Sequence, residues 1–262
     1  MADFLAVCEK AARVGGQVLR DWQGKFRWRE KGRRDLVTEA DFAAQQAIRE
    51  VVSAAFPAHE FLGEEDGDAL IASQAHAMGY RWIVDPLDGT ANYVHGLANF
   101  AVSVALEHEG RMVCGVVFDP MSQECFSAVA GEGAKLNGQP IATSGCTLIE
   151  QAMIAASFPP HVERNSPEIT QFIEVLLRSQ SVRRLGSAAL NLCYVASGRL
   201  DAYWATSVKI WDIAAGMLIL QEAGGLITSM TGSPLVLAKP ELIASSSPEL
   251  LHELIGVLKA PS

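Results

Sequence analysis

Residues 81–96 read "RWIVDPLDGTANYVHG", an apolar run that ends in two aspartates three positions apart, Asp85 and Asp88, with Pro86 between them and Gly89 and Thr90 directly after. The apolar part has the character of a buried strand, and carboxylates at its end are expensive to bury unless something compensates them. Pro86 restricts the backbone and holds the pair at a tight turn, while Gly89 and Thr90 would open the next helix with N–H groups that have no intrahelical partner. A cation site would then lie beside an anion site. Alone, D-x-x-D-G is an ordinary turn motif, so its meaning depends on what the rest of the chain brings to it.

Three more acids stand where predicted elements meet: Asp41 at the start of a helix, Glu64 in "FLGEED" and Asp212 in "KIWDIAAG". Each follows or borders an apolar segment, so each carboxylate can project from a rigid element into one shared cleft. Such a cluster repels itself unless cations occupy it. Oxygen ligands with no paired His or Cys suit Mg²⁺ or Mn²⁺ and disfavour zinc. Asp41 also has a sufficient structural role, because Thr38 reads as an N-cap and an acid three residues later completes a capping box.

Outward from these motifs, the chain of 262 residues is 49 % hydrophobic, which marks it as globular and long enough for one large or two smaller domains. Thirty acidic residues against 21 basic ones give a net charge of −9. No general field attracts nucleic acid, and an anionic substrate needs locally supplied positive charge. The five cysteines form no C-x-x-C pair, which argues against a disulfide framework or zinc cluster and predicts buried thiols in a reducing cytosol. The amphipathic N-terminus lacks the apolar core of a signal peptide, and no apolar run approaches the roughly 18–20 residues of a membrane span. A soluble, cytoplasmic protein without a membrane partner is the expectation.

Apolar spacing predicts a first helix over residues 3–23, a short hairpin in "KFRWREKGRRDLVT", and a second helix from Thr38 to just before Pro57. From Phe100 to Ile141 alternating strands and turns predict an antiparallel meander. Beyond about residue 145 the strands "AMIAAS", "DAYWA", "GLITSM" and "LIASS" alternate with helical stretches near 167–179, 186–197, 212–223 and 248–259, an α/β pattern. The expected organisation is therefore an N-terminal α+β half, residues 1–143, and a C-terminal α/β half, residues 144–262, with no linker between them.

"GEE", "DPLDGTANYVHG" and "WDIAAG", in this order, resemble the signature of the inositol monophosphatase family of Mg²⁺-dependent, lithium-sensitive phosphatases. "KGRRDLVTEAD" and "GSAALNLCYVASGRLDAY" extend the resemblance over nearly the whole chain. It implies a layered αβαβα sandwich. It further implies that Glu64, Asp85 and the Leu87 carbonyl hold a first Mg²⁺, that Asp85, Asp88 and Asp212 hold a second, and that Glu64 lies near a weaker third. Asp41 and Thr90 correspond to the pair that orients the attacking water, the Gly89 and Thr90 amides to a phosphate cradle, and Gly186, Ser187 and Ala188 to a wall of the alcohol pocket. Activated water would attack phosphorus in line while metal stabilises the departing alkoxide, with no covalent phosphoenzyme. A homodimer is implied by the same analogy.

Other residues near these motifs have plainer readings. Glu65 and Asp66 read as a solvated turn, His95 as helix surface, and Ser187, without His or Asp partners, as a cap or pocket wall. Lys31 either lends positive charge to the site or belongs to an exposed basic hairpin. Two positions depart from the family pattern. Ala98 stands where relatives carry proline, and Ala205 stands where inositol-specific members carry a glutamate that binds sugar hydroxyls. Losing that contact costs about 1.5–3 kcal/mol unless Thr206, Ser207 or Lys209 replaces it. Inositol 1-phosphate or a similar small polyol phosphate is the first expected substrate. Histidinol phosphate, fructose 1,6-bisphosphate and a 3′-phosphonucleotide are alternatives, as is a non-catalytic regulatory or RNA-associated binding protein.

Overall fold

Helices that are apolar all round and helices with a single apolar face occupy different layers of the computed structural model, which describes residues 2–32, 35–67, 79–159, 161–238 and 240–259. α1 (Ala2–Trp22) and α2 (Glu39–Ala55) are amphipathic, burying Cys8, Ala11, Ala12 and Leu19 on the first and Ala40, Ala44, Ile48 and Val52 on the second. They cover one face of a seven-stranded sheet. Its strands are β3 (Glu60–Gly63), β4 (Tyr80–Asp88), β5 (Ala101–His108), β6 (Arg111–Asp119), β7 (Glu124–Val129), β8 (Ala134–Leu136) and β9 (Gln139–Pro140), paired in chain order. The meander is antiparallel as expected, but β3 joins β4 in parallel. Ahead of α2, β1 (Trp28–Gly32) and β2 (Asp35–Thr38) form the predicted hairpin.

α3 (Thr90–Val94) is a short helix after β4, and α4 (Pro167–Arg178) lies in the second half of the chain. α5 (Ala188–Ala196) and α6 (Ile210–Glu222) bury most of their residues because a sheet lies on each side of them. The second sheet is five-stranded: β10 (Met153–Ser157), β11 (Ser181–Arg183), β12 (Ala202–Ala205), β13 (Leu226–Ser229) and β14 (Leu242–Ser245), in the order β11-β10-β12-β14-β13. β10 is parallel to β11 and β12, and β14 is antiparallel to β12 and β13. α4 and α7 (Pro248–Lys259) cover its outer face. The five layers run α1/α2, seven-stranded sheet, α5/α6, five-stranded sheet, α4/α7.

Alternation along the strands divides the core. Trp82, Val84, Val102, Val104 and Leu106 face α1 and α2, whereas Ile83, Ala101 and Ala105 face α5 and α6. The middle layer draws buried residues from both halves of the chain, Leu62 and Ile83 from one and Leu190, Ile213 and Tyr203 from the other. Trp204, on the opposite face of β12, packs with Leu250 and Leu254 in the outer core. Among the described residues no helix is long and apolar enough to cross a membrane.

Candidate active site

A bulge at the end of β4 explains why the two aspartates are three apart rather than two. Asp85 opposes Ser103 on β5 and Asp88 opposes Ala101, so three steps on β4 match two on its neighbour. Side chains three apart on a regular strand point to opposite faces, and the extra residue returns Asp88 to the face that Asp85 uses. That face is the middle layer, where Ala101 packs and Ser103 donates to the Trp211 carbonyl at 3.1 Å. Leu87 turns the other way and is buried beside α1 and α2.

Within the turn, the Leu87 N–H donates to Asp85 Oδ1 at 2.9 Å. The Leu87 carbonyl, an expected ligand, accepts from Thr90 Oγ1 at 3.1 Å. Thr90 opens α3 behind Gly89, whose φ of 101° is left-handed and whose added Cβ would meet the Asn99 carbonyl at 3.1 Å. Thr90 Oγ1 also lies 3.4 Å from Asp41 Oδ1. Asp41 is fully buried, and its Oδ2 accepts from the Thr38 amide at 2.8 Å and the Thr38 hydroxyl at 2.6 Å. The capping box forms as expected, and it leaves one carboxylate oxygen to face Thr90.

The second half of the chain supplies the remaining acid and a seat for Asp88. Asp212, half-buried near the start of α6, accepts from the Lys209 amide at 2.7 Å. Ser187 caps α5 through a 3.2 Å bond from the Leu190 amide and donates its own proton to Asp88 Oδ2 at 2.6 Å. The Ala189 amide adds a donor to the same oxygen at 2.7 Å. Burial still drives the Asp88 carboxyl up to about 6, although Ser187 and the amides of Ala189 and Ala188 pull the other way. Asp85 is held well above the usual carboxylate range by burial and then by the charges of Glu64, Asp88 and Asp212. Asp212 is raised by burial and then by Asp88 and Glu64. Four carboxylates from three separate stretches of sequence thus share one electrostatic neighbourhood.

Residues 1–260 match the pattern of the inositol monophosphatase family. The chain belongs to that family. It is 38 % identical to the Nus factor SuhB of Pseudomonas aeruginosa over 94 % of this chain and 93 % of that one. It is also 38 % identical to the inositol-1-monophosphatase of Mesorhizobium japonicum over 88 % of this chain and 85 % of that one. The crystal structure of the extragenic suppressor protein suhB from Bartonella henselae superposes with a TM-score of 0.91 at 36 % identity, covering 99 % of this chain and all of that one.

Several residues of this inositol monophosphatase homologue have roles that their motifs did not reveal. Asp66, expected in a solvated turn with Glu65, instead pairs with Arg49 at 2.6 Å and accepts from Gln45 Nε2 at 3.1 Å and the Gly63 amide at 3.0 Å. Gln45 Oε1 takes the Glu65 amide at 2.9 Å, so α2 clamps the 3₁₀ turn that carries Glu64. Gly63 leaves room for this, since a Cβ there would meet Gln45 Oε1 at 2.2 Å. Asn92 donates to the carbonyls of Asn99 and Leu185, both at 2.7 Å, and Asn99 donates to Leu185 at 2.9 Å. This network ties α3 to the loop before Gly186. Side chains with partners about 90 positions away leave no local pattern to find.

A cleft of about 490 Å³ opens over the site, with Asp88, Asp212, Gly186 and Ala188 in its lining. His95 and Ala98 are exposed, His95 ending α3. Ala205 is fully buried on the core side of β12, paired with Ser157, and the cleft wall there is built by Ser157, Ser207 and Val208. Of the expected substitutes, Ser207 faces the cleft, Thr206 bonds Glu168 at 3.4 Å, and Lys209 is exposed. The side chain of Lys31 lies outside the described residues.

Among the described residues no three His, Cys, Asp or Glu side chains form a ready-made metal cage. The donor chemistry fits a hard divalent cation all the same. The set is oxygen-only, and buried carboxylates that raise one another's pKa are stabilised as anions when a cation neutralises them.

Proposed function

We propose that the protein is a Mg²⁺- or Mn²⁺-dependent phosphomonoesterase that hydrolyses inositol 1-phosphate or a similar small polyol phosphate. One observation carries this reading: the β4 bulge turns Asp85 and Asp88 to one face, within electrostatic reach of Glu64 and Asp212. Glu64, Asp85, Asp88, Asp212 and the Leu87 carbonyl are the oxygens that would hold Mg²⁺. Bound there, the cation supplies charge neutralisation and a lowered pKa for water at the phosphorus. The Gly89 and Thr90 amides would receive the phosphate, and Gly186, Ser187 and Ala188 would border the alcohol.

Proton handling falls to Thr90 and Asp41. The one Thr90 hydroxyl proton has two acceptors in reach, the Leu87 carbonyl and Asp41 Oδ1; with the carbonyl taken up by a cation it would go to Asp41, which leaves the hydroxyl lone pairs to accept from the attacking water. Asp41 stays in place because its other oxygen is held by Thr38. Asp88 is kept from swinging into the cleft by Ser187 and the Ala189 amide, each bond to a charged group being worth about 1.5–3 kcal/mol.

The test is phosphate release from a panel comprising inositol 1-phosphate, glycerol 2-phosphate, fructose 1,6-bisphosphate, histidinol phosphate and a 3′-phosphonucleotide, with Mg²⁺, with Mn²⁺ and with chelator. Metal-dependent turnover on polyol esters supports the proposal, and none on any ester defeats it. Inhibition by millimolar lithium and a homodimer in light scattering are further expectations of family membership. A second reading is favoured by the name of the Pseudomonas relative, a Nus factor. On that reading the chain is a regulatory, transcription-associated binding protein, and it takes precedence if the panel shows no turnover.

A further inference from the structure

The lining of the cleft carries both signs of charge. Among the described residues that line it, the acids are Asp88 and Asp212, whereas Ala156, Ser157, Phe158, Arg184, Ser207 and Val208 contribute one guanidinium and no carboxylate. Arg184 is steadied over the Phe158 ring, its Cζ 4.9 Å from the centroid. Phe158 is nearly buried and fixed in turn by an edge contact with Phe172 at 5.7 Å and by Trp204 at 6.0 Å. Arg49, Arg81, Arg178 and Arg199 each pair with a carboxylate, but Arg184 has no such pair among the described residues. Neighbouring Arg183 folds back on its own strand, donating to the Ser181 hydroxyl and the Val182 carbonyl. In a chain of net charge −9, a cation held in the wall of a cleft is a local exception to the field.

We infer that this site selects phosphate esters whose alcohol part carries a second oxyanion, which Arg184 recognises from the cleft wall. The inference rests on the phosphatase reading above and ranks polyol phosphates with an anionic alcohol part ahead of inositol 1-phosphate, whose alcohol part is uncharged. A planar guanidinium offers paired donors that match a carboxylate or a second phosphate, while Ser157 and Ser207 remain for hydroxyls and Phe158 for a carbon face. A leaving group that carries an ammonium, as histidinol phosphate does, would meet like charge.

The decisive comparison uses two esters that differ in one group, 3-phosphoglycerate and glycerol 3-phosphate, with fructose 1,6-bisphosphate to ask whether phosphate replaces carboxylate. The kcat/KM of each is measured with Mg²⁺ for wild type, Arg184→Ala and Arg184→Lys, alongside calorimetric titration of 3-phosphoglycerate into the same proteins. Wild type should prefer the anionic member. In Arg184→Ala the loss on 3-phosphoglycerate should exceed that on glycerol 3-phosphate by at least about tenfold, chiefly through KM, and Arg184→Lys should recover part of it. Equal losses on both esters, or no loss on the anionic one, would overturn the inference and leave the phosphatase reading standing. If no ester releases phosphate but 3-phosphoglycerate binding still weakens about tenfold in Arg184→Ala, the phosphatase reading falls and the anion subsite stands.

Discussion

The Asp85–Thr90 turn and the Glu64–Asp66 turn bring carboxylates into one electrostatic neighbourhood and are held by opposite means. The first is buried. It is stiffened from within by the bonds of Leu87 to Asp85 and Thr90, and from the second half of the chain by Ser187 and the Asn92–Leu185 contact. The second is half-exposed and hangs from α2 through Gln45 and the Arg49–Asp66 pair. Buried, fully satisfied networks resist loosening, whereas a partly exposed ion pair contributes little in water. The rigid turn should therefore govern the chemistry, and the clamped turn should adjust how tightly the cation is held.

The sharpest way to break the comparison is Asp85→Asn. Its amide oxygen can still accept from Leu87, so the fold should survive with an unchanged melting temperature to within a few degrees. The kcat for phosphate release should nevertheless fall on the order of 10³-fold or more, since the carboxylate central to the cluster loses its charge. Near wild-type turnover would refute the site. Thr90→Ala comes next, with kcat reduced roughly 10²-fold and KM changed little. A pure KM effect would show that Thr90 only holds phosphate.

Ser187→Ala should act more mildly, removing a helix cap and a donor to Asp88 at about 1–2 kcal/mol of stability, read by thermal unfolding. Its pH signature has a definite sign. The Ser187 bond lowers the Asp88 pKa, so its loss raises that pKa, and the acidic limb of kcat/KM at limiting Mg²⁺ should shift to higher pH. An unshifted limb would separate Asp88 from the rate. The smallest effect is expected at the other turn: Asp66→Asn should raise the Mg²⁺ concentration for half-maximal activity about threefold, with kcat at saturation within about twofold. A large kcat loss there would erase the distinction between the two turns.

Elements whose signals are local were legible in the sequence. The Thr38–Asp41 capping box, the first helix, the 100–141 meander and the four strand-helix alternations of the second half all occur near their expected positions. β11, three residues long, escaped notice because so short a strand has no period to detect. The parallel β3–β4 pair escaped because direction is not written in either strand. Asp66 was misread for a related reason. An acid in "GEED" looks solvated until α2 brings Arg49 across 17 positions.

By itself, then, the sequence determined the kinds of elements, the oxygen-only chemistry and the family, because helix periodicity, strand alternation, caps and motif order are properties of neighbouring residues. Only the tertiary structure decided which face each carboxylate uses, what holds it there and what lines the cleft. A one-residue bulge turns Asp88 around, and Ser187 reaches it from 99 positions away. Arg184 becomes a cleft residue only because β10 and the loop after β11 bring Phe158 beneath it. Those placements come from packing two sheets around one helical layer, and packing is a relation between distant segments that no single stretch contains.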